Sequence, residues 1–140
     1  MRVALVSCVK RKRPVPTPAR ELYDSALFRG MRHFAESHAD RWFILSAEHG
    51  LIAPDTEIAP YERTLNRMSV EERRSWAARV LEALASEVSA GDTVLMLAGV
   101  RYREGIVPSL KKGGIDVQVP LEGLGLGRQL QWLNRQRDNG

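Results

Sequence analysis

Cysteine is nearly absent from this sequence: Cys8 stands alone among 140 residues, so no disulfide within the chain is possible. A lone thiol suits a reducing compartment. The opening residues MRVALVSC lack the charged segment and long apolar run of a secretion signal, so a cytoplasmic setting is expected. No apolar run approaches the roughly 18 residues that cross a bilayer, which argues against a membrane partner. Histidine is scarce as well. His33, His38 and His49 form no zinc-ligand spacing, so no metal and no cofactor are expected. Acidic residues are missing from positions 1–20, which carry Arg2, Lys10, Arg11, Lys12, Arg13 and Arg20. Positive charge concentrated in this way draws anionic partners, phosphates among them, or serves only as a solvated loop. No repeat, linker or low-complexity tract divides the chain, and residues 1–140 are expected to form one domain.

Hydrophobic residues make up 44% and charged residues 27%, a balance that supplies a core and excludes a disordered chain. Residues 2–7 (RVALVS), 41–47 (RWFILSA), 93–98 (TVLMLA) and 115–120 (IDVQVP) are short apolar runs of strand length. Between them lie helical patterns over 25–37, from Ser69 onward, over 102–112 and after Gly127. Ser69 and Glu72 have capping-box spacing, which fixes the start of the second helix. Residues 9–20 hold Pro14, Pro16 and Pro18, too many prolines for a helix, and read as an extended arm or lid. Residues 51–68 read as a long irregular loop of the kind that often carries function. Strands alternating with helices predict an α/β fold: a single three-layer domain with a mostly parallel, four-stranded sheet. Ligands of such sheets sit outside the carboxyl ends of the strands.

The candidate site residues fall at those ends. Cys8 lies among cations, where a thiolate becomes reactive, although a cysteine is equally suited to lining a pocket or filling a core. Lys10 and Lys12 can grip a phosphate. Tyr23 can stack on a base, and Ser25 stands where a helix begins; an N-cap serine beside a half-buried tyrosine is the plainer alternative. Ser46 and His49 share a strand end, but no nucleophile elbow surrounds Ser46, and Glu48 diverges from His49 on an extended chain. His49 can act as acid, base or hydrogen bonder, or be a surface residue before a turn. Asp55, Tyr61 and Glu62 are candidate acids or hydrogen-bonding groups on the long loop. Gly123, Gly125 and Gly127 can bare amides toward a phosphate, yet their spacing matches neither the dinucleotide fingerprint nor the P-loop.

Taken in order, these segments resemble a family. The run Ser7 to Lys12, then Ala19, Leu22, Tyr23, Ser25 and Phe28, then Leu45 to Leu51, Pro54-Asp55, Pro60-Tyr61 and Thr64-Leu65 is similar to small bacterial and phage proteins labelled YaaA-like. Pro120 to Gly127 and Gln131 to Leu133 extend the likeness over most of the chain. His49 stands where the peroxide-stress relatives have tyrosine, and their helix-hairpin-helix element has no counterpart. The Cys8, Lys12, Tyr23 and Ser25 pattern also resembles the core of archaeosine synthase, with Ser7 in place of a proline and Phe28 in place of a histidine.

The resemblance implies a glycosylase-like α/β fold and chemistry at a nucleobase, DNA being favoured over RNA as partner. The expected protein is a nucleobase-processing enzyme, DNA glycosylase-like (a hydrolase) or base-modifying, at or near the N-glycosidic bond. Cys8, Ser46, His49 and Asp55 are its expected catalytic groups. Lys10, Lys12, Tyr23, Ser25, Phe28, Tyr61 and Gly125 are its expected substrate contacts. The alternatives are a DNA-binding stress-response protein without turnover and a free-nucleotide hydrolase or transferase.

Overall fold

The apolar run at the start of the chain becomes the central strand of the sheet in a computed structural model that describes residues 1–139. In chain order the elements begin β1 (Arg2–Ser7), β2 (Thr17–Pro18), α1 (Ala19–Leu22), α2 (Ala26–His38), β3 (Arg41–Ser46), β4 (Gly50–Ile52) and β5 (Glu57–Ile58). They continue α3 (Val70–Leu84), β6 (Thr93–Leu97), α4 (Val100–Arg103), α5 (Val107–Lys112), β7 (Asp116–Gln118) and α6 (Leu126–Asn139). All but the first residue of β1 are buried. Such a strand needs cover on both faces, which the middle of a parallel sheet provides.

The main sheet has five strands in the order β4-β3-β1-β6-β7. β1 pairs in parallel with β3 and β6, and β6 pairs in parallel with β7. Four strands were expected. The fifth, β4, folds back antiparallel on β3, with Leu51 opposite Leu45. Gly50, at φ 73°, takes the left-handed backbone conformation that lets the chain reverse just after Ser46.

The segments expected to be irregular contain further pairing. β2 and β5 form a small antiparallel ribbon, Thr17 opposite Ile58. The Pro-rich arm is pinned at its base, where Lys12 bridges Tyr23 and the Arg13 amide donates to the Leu22 carbonyl at 2.8 Å. The helix expected over 102–112 is two short helices. Gly105 separates them, and a Cβ on it would lie 2.8 Å from the Ala77 Cβ. The junction therefore rests directly on α3.

Right-handed crossovers place α2, which connects β1 to β3, on one face of the sheet. They place α3 and α5 on the other, because those connections run in the opposite direction along it. α6 packs beside α2, where Phe34 meets Trp132 with ring centroids 5.0 Å apart. α3 is fixed at its start by the reciprocal Ser69 and Glu72 capping bonds. Side chains from both layers and the sheet join in one buried cluster. No helix among the described residues is long and apolar enough to cross a membrane.

Register decides where the site falls. Ser7 is level with Leu45, and Val6 with Leu97, so Cys8 comes level with Ser46, and Ala98 with Ser7, where the parallel strands end. The chain leaving β1 heads for α2 on one face, while the chain leaving β6 heads for α4 and α5 on the other. A crevice between diverging connections is the usual ligand position of an open α/β sheet.

Candidate functional site

A cavity of about 680 Å³ occupies that crevice. Cys8, Val9, Lys10 and Lys12 line it from the end of β1, and Tyr102 lines it from α4. The opposite wall comes from the loop before α3, with Glu62, Arg63, Thr64, Asn66 and Arg67. Four cations and one carboxylate thus line the cavity. Among the described residues there is no cluster of three metal-ligating side chains.

Cys8 is held firmly. Its amide donates to the Leu45 carbonyl at 3.0 Å, and its Sγ lies 3.4 Å from the Tyr102 hydroxyl. Tyr102 in turn meets the Trp76 ring edge-on, centroids 5.6 Å apart. Lys12 stands over two aromatic faces, its Nζ 4.4 Å from the Tyr61 centroid and 5.7 Å from that of Tyr23. It also donates to the Lys10 carbonyl at 3.1 Å. Burial lowers the Lys12 pKa below the ordinary 10.5, with the neighbouring Cys8 and Glu62 opposing the shift.

Behind Lys12 runs a chain of hydroxyls. Ser46 Oγ donates to the Tyr61 hydroxyl at 2.7 Å, and Tyr61 and Tyr23 share a hydrogen bond of 2.6 Å. The His49 amide donates to Ser46 Oγ at 3.0 Å, and the Trp76 indole N–H donates to the Ser46 carbonyl at 2.8 Å. Ser46 is fully buried and its hydroxyl has partners on both sides, so it organises the wall behind the cavity and is not open to a substrate.

Burial, and next the neighbouring Cys8, push the phenols of Tyr23, Tyr61 and Tyr102 well above the ordinary 10. They stay protonated at neutral pH. In the unfolded chain these phenols lose protons near pH 10, while the folded protein keeps them. Stability is therefore fully present below about pH 10 and falls as pH rises beyond it. Urea denaturation between pH 8 and 11 is expected to show this decline. A Tyr23→Phe/Tyr61→Phe double variant is expected to flatten it.

The other expected site residues lie elsewhere. Asp55 is 88% exposed and pairs with Arg20, so it does not cover the cavity. Arg20 comes from α1, and the β2–β5 ribbon turns Asp55 toward it. Ser25 caps α2, accepting the Phe28 amide at 3.0 Å. Phe28 is fully buried and packs on Tyr23, centroids 5.0 Å apart, and Tyr23 itself is 2% exposed. Neither ring offers a free face for stacking. His49 is exposed and meets Tyr61 edge-on at 5.6 Å, outside the cavity lining. Gly125 accepts the Gln129 amide at the start of α6 and does not line the cavity. Tyr61 lies behind Lys12 rather than in the lining.

Sequence reasoning did not single out Tyr102, Arg63 or Arg67. Arg63 precedes, and Arg67 ends, a 3₁₀ turn at Leu65–Arg67 that no helical or strand period announces. Glu62 entered only as one of several loop acids, and the fold brings it, rather than Asp55, to the cavity.

Fold and cavity define an α/β domain with a cation-rich, thiol-bearing cleft at the carboxyl edge of its sheet. The chain belongs to DUF6884, a family of unknown function whose model matches residues 3–135. It is 28% identical over 147 residues to the uncharacterized protein YfjM of Bacillus subtilis (strain 168), an alignment covering 96% of this chain and 93% of that protein. No solved structure matches the chain.

Proposed function

We propose that this protein is a cytoplasmic enzyme with a glycosylase-like fold that acts on a nucleobase in nucleic acid, at or near the N-glycosidic bond. The observation that carries the reading is the composition of the cavity: its lining joins four cations, Lys10, Lys12, Arg63 and Arg67, with one carboxylate, Glu62, and the Cys8 thiol. Cations at the rim suit phosphodiesters, whose neutralisation dominates nucleic-acid affinity. A volume of about 680 Å³ suits an extruded nucleotide, and base chemistry within a duplex requires such extrusion.

In this reading Glu62 faces the sugar. As the bond from C1′ to the base breaks, positive charge develops on the sugar ring, and a carboxylate stabilises it. Water then adds its oxygen to C1′, and the departing base takes up a proton. The Tyr102 hydroxyl and the Cys8 thiol supply hydrogen-bonding groups at the inner wall for the base edge. The lone thiol supports the reducing compartment.

The test is incubation with duplex and single-stranded DNA and RNA carrying a panel of damaged or modified bases, read by mass spectrometry. A released or altered base, lost in Glu62→Gln, is the expected result. Binding without any base change across the panel would favour the non-catalytic alternative. Protection of the protein by free mononucleotides alone, with no oligonucleotide bound, would favour the free-nucleotide alternative.

A further inference from the structure

A second cavity, of about 430 Å³, lies between α3 and the α4–α5 junction. Its charged lining is Arg73, Arg74, Arg101 and Glu104, over a floor of Trp76, Ala77 and Gly105. Gly105 lets the α4–α5 junction close onto α3 at the floor, because a Cβ there would lie 2.8 Å from the Ala77 Cβ. Glu104 sits between two of the arginines, 3.4 Å from Arg73 Nε and 3.6 Å from Arg101 Nη1. One carboxylate cannot neutralise three guanidinium groups, and Arg74 has no ion-pair partner among the described residues. The cluster retains two positive charges around a concave, partly buried surface.

This cavity and the first share a wall. Trp76 lines one, Tyr102 lines the other, and the two rings touch edge to face. The walls are also tied through the backbone: Arg73 Nη1 donates at 2.6 Å to the carbonyl of Met68, at the end of the loop that carries Arg63 and Arg67. Two cationic hollows that share an aromatic wall can take successive charges of one polynucleotide strand, and planar guanidinium forks suit phosphodiester oxygens.

We propose that the cleft between α3 and α4 is a second phosphodiester site, holding the backbone that flanks the nucleotide in the first cavity. Arg74 and Arg101 are its principal ligands. Arg73, held by Met68 and Glu104, positions the Thr64–Met68 loop between the two sites. The inference rests on the nucleic-acid reading above, but not on any chemistry at the base.

The experiment compares binding of fluorescent oligothymidylates of two and eight nucleotides over a range of salt. The wild-type protein is expected to bind the octamer at least tenfold more tightly than the dimer. In Arg74→Ala/Arg101→Ala, both exposed positions, that gain disappears while dimer binding holds within about twofold. The slope of log affinity against log salt for the octamer shrinks by about 1.4, at roughly 0.7 per cation on a single strand. The matched variant Arg79→Ala/Arg135→Ala, which removes the same charge elsewhere on the surface, keeps the length gain. Equal losses in the two double variants, an unchanged gain in the first, or no octamer binding by the wild type would overturn the proposal. Base release that survives Arg74→Ala/Arg101→Ala with its length dependence intact overturns the second site and leaves the enzymatic reading standing. Length-dependent binding with no base ever altered does the reverse.

Discussion

Replacing Trp76 with alanine is expected to destabilise the protein by about 3–5 kcal/mol, enough to unfold a large share of it near body temperature. Trp76 is 1% exposed and is among the largest buried side chains. Three roles meet in it. Its ring fills the layer between α3 and the sheet, its edge supports Tyr102, and its N–H satisfies the Ser46 carbonyl at 2.8 Å. Alanine leaves a cavity and an unpartnered carbonyl together. Trp76→Phe separates the two effects, since it keeps most of the ring and loses only the donor, at a cost of about 1–3 kcal/mol. Urea denaturation of both variants checks the ranking. Equal destabilisation would mean that the hydrogen bond, and not the packing, dominates.

The second large effect concerns activity. Under the base-processing reading, Glu62→Gln is expected to lower turnover by about 10²–10³, the usual loss when one electrostatic group facing a developing charge is removed. Folding should not suffer, because Glu62 is exposed and makes no ion pair among the described residues; the neighbouring Arg63 pairs with Glu72 instead. Lys12→Met is expected to weaken substrate binding, and with it the salt dependence. The pH profile carries the sharper signature. Burial lowers the Lys12 pKa, so its ammonium is lost at a pH below 10.5, and binding that needs the charge fails on the alkaline side earlier than an ordinary lysine would allow. Lys12→Arg keeps its charge throughout, and is expected to move that alkaline limb upward. A limb that stays in place in Lys12→Arg would assign it to another group. For stability the sign is opposite: the unfolded chain holds the Lys12 proton more tightly, so this group favours folding more as pH rises toward 10.5.

Much of the architecture was legible because it depends on local rules. The apolar runs at 2–7, 41–47 and 93–98 marked the parallel strands, and the Ser69–Glu72 pair marked the start of α3. β4 is too short to carry a period, and the left-handed turn at Gly50 is what reverses the chain into it. The single helix expected over 102–112 failed at Gly105, where contact with Ala77 outweighs helical propensity. Among the site residues, Cys8, Lys10 and Lys12 follow a strand end directly, and their place in the crevice depends on little else. Tyr23 and Phe28 looked equally like stacking aromatics, yet tertiary packing buries both.

Sequence alone therefore determined that cations and a thiol would stand at the carboxyl end of the first strand, because strand length and chain order dictate that position. Which acid faces them is a different kind of fact. Asp55 and Glu62 are both carboxylates on one loop, and composition cannot rank them. The β2–β5 ribbon turns Asp55 out to Arg20, while the loop running into α3 carries Glu62 to the cavity. That choice belongs to pairing between residues some forty positions apart, which local propensity does not encode.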